Sequence, residues 1–283
     1  MWSEQKDPPF AHYKIVRHQG DFVTEFDSHE LYGKTLEEAG ELLDKYVIPI
    51  FRRGRFERPE MEGTGFLIEQ NSNIYFITAS HVIDAIKASQ SNFVIAIETQ
   101  MFSLSLAMCK RTIATKTEVA DNQFDLAAIL ISPENDYYEL CKKVTIPNSK
   151  VLINHHFRQV DMQILQGFPS SKNKTAKCFN GQNKHFSGAL WTYSFNFHMD
   201  CDVTKYNKIP GSSYPIHWSK KINGQKTVHP RGCSGGPYWF IPNKKNIHEH
   251  YLAGVFIEYY ENKSVAFVTK IDHVLDLINE FDA

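Results

Sequence analysis

The sequence predicts an all-β fold with a short helix towards each end of the chain. From Val47 onward, short apolar runs such as VIPIF, NFVIAIE and YLAGVFIEY alternate with clusters of Gly, Pro, Asn, Asp and Ser. The runs GTGFLIEQ and IYFITAS flank a polar turn, which is typical of a β-hairpin. The chain has 283 residues, 42% of them hydrophobic, so it can bury a large core. This pattern fits a β-barrel or a β-sandwich.

The two predicted helices come from a different spacing of apolar residues. Across Thr35–Tyr46 the apolar positions recur at helical intervals, and Thr35 with Glu38 forms a capping-box pattern. We therefore expect residues 1–45 to be an N-terminal extension with its own short helix. The same helical spacing across Ile271–Phe281 predicts a helix that ends the chain.

Composition argues against several classes of function. Lys and Arg number 31 and Asp and Glu 32, so a net charge of -1 gives no electrostatic case for binding nucleic acid or an anionic membrane. The five cysteines form no C-x-x-C pair, which leaves a zinc site without support. The start of the chain has no basic segment followed by an apolar one, as a secretory signal would. We expect a cytoplasmic protein with free thiols.

The strongest chemical signal is the run Gly232-Cys233-Ser234-Gly235-Gly236-Pro237. Glycines tolerate a positive φ, so they allow a tight turn that projects the Ser234 hydroxyl. The same turn can aim the N–H groups of Gly232 and Ser234 at one point, as acyl transfer requires for its oxyanion. Taken alone, a Ser-Gly-Gly run is more often an ordinary loop.

Two further motifs supply a base and an acid. His81 follows the apolar run IYFITAS, at the end of a predicted strand. Asp125 opens the buried run LAAILI, where a carboxylate needs a partner and an imidazole is suitable. Each alone has a structural reading, as a partly buried histidine or a turn-capping aspartate. Together, the chain order His, Asp, Ser is the order of the triad in chymotrypsin-type barrels.

With these three motifs, the chain resembles the chymotrypsin-like serine peptidases of the trypsin superfamily. The resemblance covers about residues 46–283 and rests on GTGFLI with ITASHVI, on FDLAAIL and on GCSGGP; LQGFP matches more weakly. It implies two six-stranded antiparallel β-barrels, at about 46–135 and 150–268, and the closing helix 271–281. It also implies a site between the barrels.

The resemblance assigns a role to each site residue. His81 is the general base and acid, Asp125 orients it, Ser234 is the nucleophile, and the N–H groups of Gly232 and Ser234 form the oxyanion hole. No metal or cofactor is needed, and the substrate is a protein or peptide. The specificity pocket is expected to have Val228 at its base and Phe256, Ile257 and Glu258 along its wall. An apolar base favours an apolar or small substrate side chain.

The sequence departs from the family pattern just before the nucleophile. Secreted members usually carry Asp there, paired with a new amino terminus after activation, whereas this chain has Cys233 and no R-I-V-G-G-like site. The pattern is closer to bacterial Deg-type and intracellular members. Viral relatives use a Cys nucleophile within G-x-C-G-G, but here the framed residue is Ser234, so Cys233 is read as structural filler.

Two alternatives and one regulatory hypothesis complete the interpretation. The same fold could serve as a catalytically silent binding or scaffold module, against which the intact triad argues. An esterase on another fold is disfavoured by the triad order and by the absence of G-x-S-x-G. Because no activation site is present, we expect residues 1–45, or a regulatory protein docked there, to influence whether the oxyanion loop forms.

Overall fold

The computed structural model describes most of the chain. The described residues are 12–18, 21–25, 30–53, 59–98, 100–112, 123–155, 162–174, 188–195, 198, 200–222, 225–242 and 246–281. The first eleven residues of the predicted N-terminal extension lie outside this set.

The N-terminal half of the chain forms a sheet of eight strands. Its order is β7-β6-β3-β4-β5-β9-β8, with β10 added in parallel beside β4. All other pairings in this sheet are antiparallel. The strands are β3 (Ile48–Arg53), β4 (Pro59–Gln70), β5 (Asn73–Ala79), β6 (Phe93–Ile97), β7 (Gln100–Leu104), β8 (Cys109–Arg111), β9 (Leu126–Ile131) and β10 (Thr145–Ile146).

The second sheet also has eight strands, and two of them come from the start of the chain. Its order is β13-β18-β17-β16-β11-β12-β1-β2, entirely antiparallel. The strands are β1 (His12–His18), β2 (Asp21–Glu25), β11 (Met162–Gly167), β12 (Ala189–Phe195), β13 (Ser213–His217), β16 (Pro237–Ile241), β17 (Tyr251–Tyr260) and β18 (Val265–Lys270). A separate small hairpin joins β14 (Lys221–Ile222) and β15 (Gln225–Lys226).

Short helices connect and flank the two sheets. The α-helices are α1 (Glu30–Leu43), α2 (Ser80–Ala88), α3 (Tyr138–Lys143) and α4 (Ile271–Asn279), and 3-10 turns span Asp44–Tyr46, Asn148–Lys150, Val203–Tyr206 and Glu261–Lys263. The N-terminal helix begins five residues before the predicted start, so Thr35 lies inside it and does not cap it. None of these helices is long and apolar enough, within the described residues, to cross a membrane.

The predicted hairpin forms between β4 and β5. The strands pair from Phe66 opposite Ile77 to Gln70 opposite Asn73, so a two-residue turn of Asn71 and Ser72 joins them. Both turn residues have positive φ, at 50° and 64°. That backbone matches the twist of a two-residue hairpin, and it explains why polar residues interrupt two apolar runs here.

A shared core lies between the two sheets and includes both terminal helices. Phe66 and Ile77 from the first sheet meet Trp239 from the second, and Leu43 of α1 and Val274 of α4 cover the same cluster. Strand β16 is buried along its whole length, since its alternate residues enter this core and a second one behind it. That explains the unbroken apolar run PYWFI.

The predicted all-β fold, with antiparallel sheets and a C-terminal helix, is confirmed. The sheets have eight strands each in the described residues, where six were expected. In the second sheet the difference is the β1–β2 hairpin, which pairs with β12 from His12 opposite Tyr193 to Val16 opposite Ala189. This pairing covers a strand edge that would otherwise be open, so the N-terminal segment is part of the sheet.

We expect the substitution Leu43→Ala to lower the free energy of unfolding by about 2–5 kcal/mol, because a fully buried leucine leaves a cavity when truncated. Its neighbour Leu42 is half-buried on the same helix and is the matched control. Leu42→Ala should cost less than about half as much. Urea denaturation followed by tryptophan fluorescence measures both. Equal losses would contradict the burial of α1 in the shared core.

Candidate active site

His81 lies where a buried strand of the first sheet changes into a helix. Strand β5 ends at Ala79, and α2 begins at Ser80. His81 is thus the second residue of the helix, and its side chain is 36% exposed. The small residues before it allow the tight change of direction. The predicted position of His81, at a strand end and before a short helix, matches this arrangement.

Asp125 holds His81 at two points. Asp125 Oδ2 lies 2.6 Å from His81 Nδ1, and Asp125 Oδ1 accepts a hydrogen bond from the His81 backbone N–H at 2.9 Å. A carboxylate at this place keeps the proton on Nδ1, which leaves Nε2 as the acceptor on the ring. The second bond also caps α2, since Ala79 provides no side-chain cap. The two sequence-predicted residues are therefore brought together.

The Asp125 backbone is held in an uncommon conformation. Its φ is +52°, in the left-handed region that Asp visits more readily than most residues. The Asp125 carbonyl accepts from Ser80 N at 3.0 Å, and the preceding Phe124 carbonyl accepts from Thr269 Oγ1 at 2.7 Å. The aspartate is thus fixed by α2 from its own sheet and by β18 from the other sheet.

The segment around Ser234 forms the tight turn that its glycines predict. Gly232 and Gly235 have φ of +95° and +88°. A Cβ on Gly235 would overlap Thr64 O and Thr78 Oγ1, so only glycine fits between this turn and the first sheet. The turn that carries Ser234 therefore lies directly against strands β4 and β5.

The carbonyl groups of this turn are bonded in a way that fixes its amides. Arg231 O accepts from Ser170 N at 2.7 Å, and Cys233 O accepts from Gly236 N at 2.8 Å. In a planar trans peptide the N–H points opposite to the C=O. The next amides, those of Gly232 and Ser234, therefore point away from these partners. Across the described part of the chain, neither N–H has an acceptor.

The Ser234 turn packs beside the end of the strand that leads into His81. A Cβ on Gly235 would lie 2.9 Å from Ala79 N, two residues before His81. A Cβ on Gly63 would lie 2.8 Å from a Val82 methyl carbon and 3.1 Å from Ser234 O. No hydrogen bond joins Ser234 and His81 themselves in the described residues. In structures without substrate, the hydrogen bonds between catalytic side chains of enzymes are often long or poorly aligned.

The electrostatic surroundings of His81 favour its protonated form. Burial by itself would lower the pKa of the imidazole, but the hydrogen bond and the charge of Asp125 raise it. The carboxylates of Glu258 and Glu62 act in the same direction, and the net result is a pKa above the usual value for histidine. The ring is therefore a stronger base than a free imidazole.

Cys233, the residue before Ser234, is fully buried. It packs against Gly167, where a Cβ would lie 2.9 Å from Cys233 Sγ, and Sγ is 4.0 Å from the Tyr193 hydroxyl. Burial raises the pKa of the Cys233 thiol well above its ordinary value. A thiol in that environment is a poor nucleophile, which agrees with its interpretation as filler.

The residues expected to line the specificity pocket differ in how deeply they are buried. Phe256 and Ile257 are 1% and 0% exposed, and they lie in two different hydrophobic clusters. Val228 packs at the margin of the cluster that contains Phe256. Val228 and Glu258 are partly accessible. The Glu258 side chain is 31% exposed and forms an ion pair with the buried Lys208. Adjacent strand residues point to opposite faces, which places Phe256 and Ile257 in different clusters. The pocket assignment stays a prediction.

Three site features were missed by the sequence interpretation. The Thr64 backbone N–H donates to Ser234 O at 2.9 Å. The Ser170 backbone N–H donates to the Arg231 carbonyl and so fixes the peptide unit that contains the Gly232 N–H. Lys208 forms an ion pair with Glu258. The G-T-G run was a usable signal for Thr64, since two glycines around a buried threonine indicate close packing on both sides. In the described ranges, no group of three His, Cys, Asp or Glu side chains could hold a metal ion.

Comparison with known proteins gives a likeness of structure and none of sequence. No protein-family model matches the chain, and no curated protein matches it. Among solved structures, the fold is similar to tobacco vein mottling virus protease, with a TM-score of 0.46, 12% identity and 83% of each chain covered. A likeness at that level carries no argument about chemistry. The predicted closeness to bacterial Deg-type members finds no support in these comparisons.

We expect Asp125→Asn to lower the pKa of His81, because the charge that raises it is lost while desolvation by burial remains. Asn also tolerates the left-handed backbone at this position, so the fold is preserved. Titration of the His81 ring proton by NMR measures the change. An unchanged pKa would show that Asp125 does not stabilise the imidazolium.

The same raised pKa has a defined effect on stability. The folded protein binds the His81 proton more tightly than the unfolded chain does. The stabilisation is therefore complete below pH about 6.5 and is lost as the pH rises through the raised pKa.

Proposed function

We propose that this protein is a serine endopeptidase that cleaves peptide bonds in a protein substrate. One observation carries the proposal. An imidazole oriented by a carboxylate lies beside a glycine turn that presents Ser234 and two N–H groups without acceptors in the described residues. Base, hydroxyl and anion-binding donors are the three parts that acyl transfer requires.

The proposed reaction proceeds through an acyl-enzyme. Ser234 Oγ attacks the carbonyl carbon of the substrate while His81 Nε2 takes the hydroxyl proton. The resulting oxyanion accepts hydrogen bonds from the N–H groups of Gly232 and Ser234. The C–N bond then breaks, and His81 gives its proton to the leaving amine. Water attacks the ester in the same way and releases the second product, with Asp125 orienting the imidazole throughout.

An open strand edge next to Ser234 supports a peptide as the substrate. Strand β16 pairs with β17 only as far as Val255, and Phe256 continues that edge through bonds with Gly235 and Gly236. Beyond it, no described strand pairs with residues 257–260 on this side. An extended peptide can add to such an edge through its backbone, which would bring a carbonyl towards Ser234.

The second candidate, a silent binding module, would keep the fold and the open edge without turnover. The hydrogen bond between His81 and Asp125 argues against a silent binding module. A binding surface gains nothing from the strain at Asp125 or from a pair of unused amides, whereas strained backbone is common at catalytic sites. Covalent labelling of Ser234 separates the two readings.

Specificity and regulation stay predictions. Because Phe256 and Ile257 are buried, Glu258 is the accessible residue of that wall. The expected preference for an apolar or small residue stays a prediction. A regulatory protein at residues 1–45 is also untested. One contact supports the idea: Gln166 Nε2 donates to Gly40 O of α1 at 3.1 Å, and Gln166 backbone adjoins Gly236.

The first test is reaction with a fluorophosphonate. Ser234 Oγ should form a bond to phosphorus, with loss of fluoride and of the hydroxyl proton. Ser234→Ala should abolish the label and reduce turnover of an unstructured protein such as casein on the order of 10⁶-fold. Mass spectrometry of the labelled peptide identifies the site.

Cys233→Ala is the matched control, because it changes the adjacent side chain and keeps the Cβ that packs on Gly167. This variant should still take the label at Ser234. Wild-type protein that takes no label would favour the binding module. A label that is lost in Cys233→Ala and kept in Ser234→Ala would make the thiol the nucleophile.

The labelling rate should rise with pH along the titration of His81, because only the neutral ring accepts the Ser234 proton. Since neighbouring carboxylates raise its pKa, the midpoint should lie above that of an ordinary histidine. Glu62→Gln should move the midpoint to lower pH. Glu60→Gln removes a carboxylate that binds the same Arg52 but does not act on His81, so its midpoint should stay unchanged. Equal midpoints in all three proteins would contradict this account.

A further inference from the structure

We propose that Thr64 is a positioning residue that holds the oxyanion-binding amides in place from the opposite sheet. The inference deepens the proposed peptidase function and rests on it. Thr64 lies in β4, and it belongs neither to the triad nor to the turn that carries Ser234. It is nevertheless fully buried between the two.

Thr64 contacts the Ser234 turn through two separate groups. Its backbone N–H donates to Ser234 O at 2.9 Å, and its hydroxyl donates to Gly232 O at 2.7 Å. The same hydroxyl accepts from Phe168 N at 3.1 Å. A hydroxyl can donate and accept at once, so one side chain ties two loops of the second sheet together.

The bond to Gly232 O fixes a peptide unit that lies between the two proposed donors. That unit contains the Gly232 carbonyl and the Cys233 N–H, which donates to Pro230 O at 2.8 Å. With both ends bonded, the plane cannot rotate without breaking a buried hydrogen bond. The amides of Gly232 and Ser234 belong to the flanking units, so their directions depend on this middle one.

Thr64 also links the turn to the strand that leads into His81. Thr78 Oγ1 donates to Thr64 O at 2.8 Å, and Thr78 lies three residues before His81 in the chain. The distance between nucleophile and base is therefore set across a short chain of bonds. Misplacement by about 1 Å at such a site can cost on the order of 10²-fold in rate, so a small shift here is measurable.

Thr64→Val tests the inference, because valine keeps the shape and removes only the hydroxyl. The buried Gly232 carbonyl would lose its donor, and the turn would relax away from its present geometry. We expect the fluorophosphonate labelling rate of folded protein to fall at least about tenfold, with loss of transition-state stabilisation as the cause. Thr64→Ser retains the hydroxyl and should label within about threefold of wild type.

Two controls separate positioning from general damage. Thr145→Val removes a hydroxyl bonded to the Cys141 carbonyl at the same 2.7 Å, away from the turn, and should label like wild type. The pH midpoint of labelling should be unchanged in Thr64→Val, because the His81–Asp125 pair is intact. All rates are measured below the unfolding temperature of each variant and per folded molecule.

The outcomes are distinguishable. If wild type labels and Thr64→Val labels at the same rate, the positioning role is wrong while the peptidase proposal stands. If Thr64→Ser is as slow as Thr64→Val, the hydroxyl is not the relevant group and the inference fails. If wild type takes no label, the proposed function falls and this inference falls with it.

Discussion

The site depends on the close docking of one glycine turn against the first sheet. Gly235 sits where a side chain would overlap Thr64 and Thr78, and Ser234 O accepts the Thr64 amide at 2.9 Å. The Ser234 turn belongs to one sheet and His81 to the other, so their relative position is a property of this contact. A larger residue at Gly235 would separate them and would also meet an unfavourable φ of +88°.

The other half of the site, around His81, is held together by charged groups. Asp125 is largely buried, and burying a carboxylate is costly unless it is hydrogen-bonded. The His81 ring, the His81 amide and the start of α2 compensate this cost, so one residue caps a helix and orients an imidazole. The Glu258–Lys208 pair follows the same rule, since a lysine this deeply buried needs its partner. Both arrangements place negative charge towards the imidazole.

The N-terminal segment is structurally continuous with the sheet that carries Ser234. Its first hairpin extends that sheet through β12, and α1 places Leu36, Ala39 and Leu43 in the core shared with Trp239. The Gln166–Gly40 bond then connects the helix to the strand behind the Ser234 turn. Any influence of this segment on the site would therefore act through packing.

The sequence by itself determined the strand-rich fold, both helices and the three chemical motifs. Short apolar runs between turn residues, helical spacing and glycine turns are local signals that can be read from a single sequence. The predicted start of α1 was wrong, because a capping pattern does not fix a helix start without its neighbours. Only the tertiary structure decided that Asp125 meets His81, that Phe256 and Ile257 enter different cores, and that Thr64 bridges the sheets. The His81–Asp125 and Thr64–Gly232 hydrogen bonds join residues 44 and 168 positions apart in the chain. The local spacing of residues does not predict such contacts, because tertiary packing determines them.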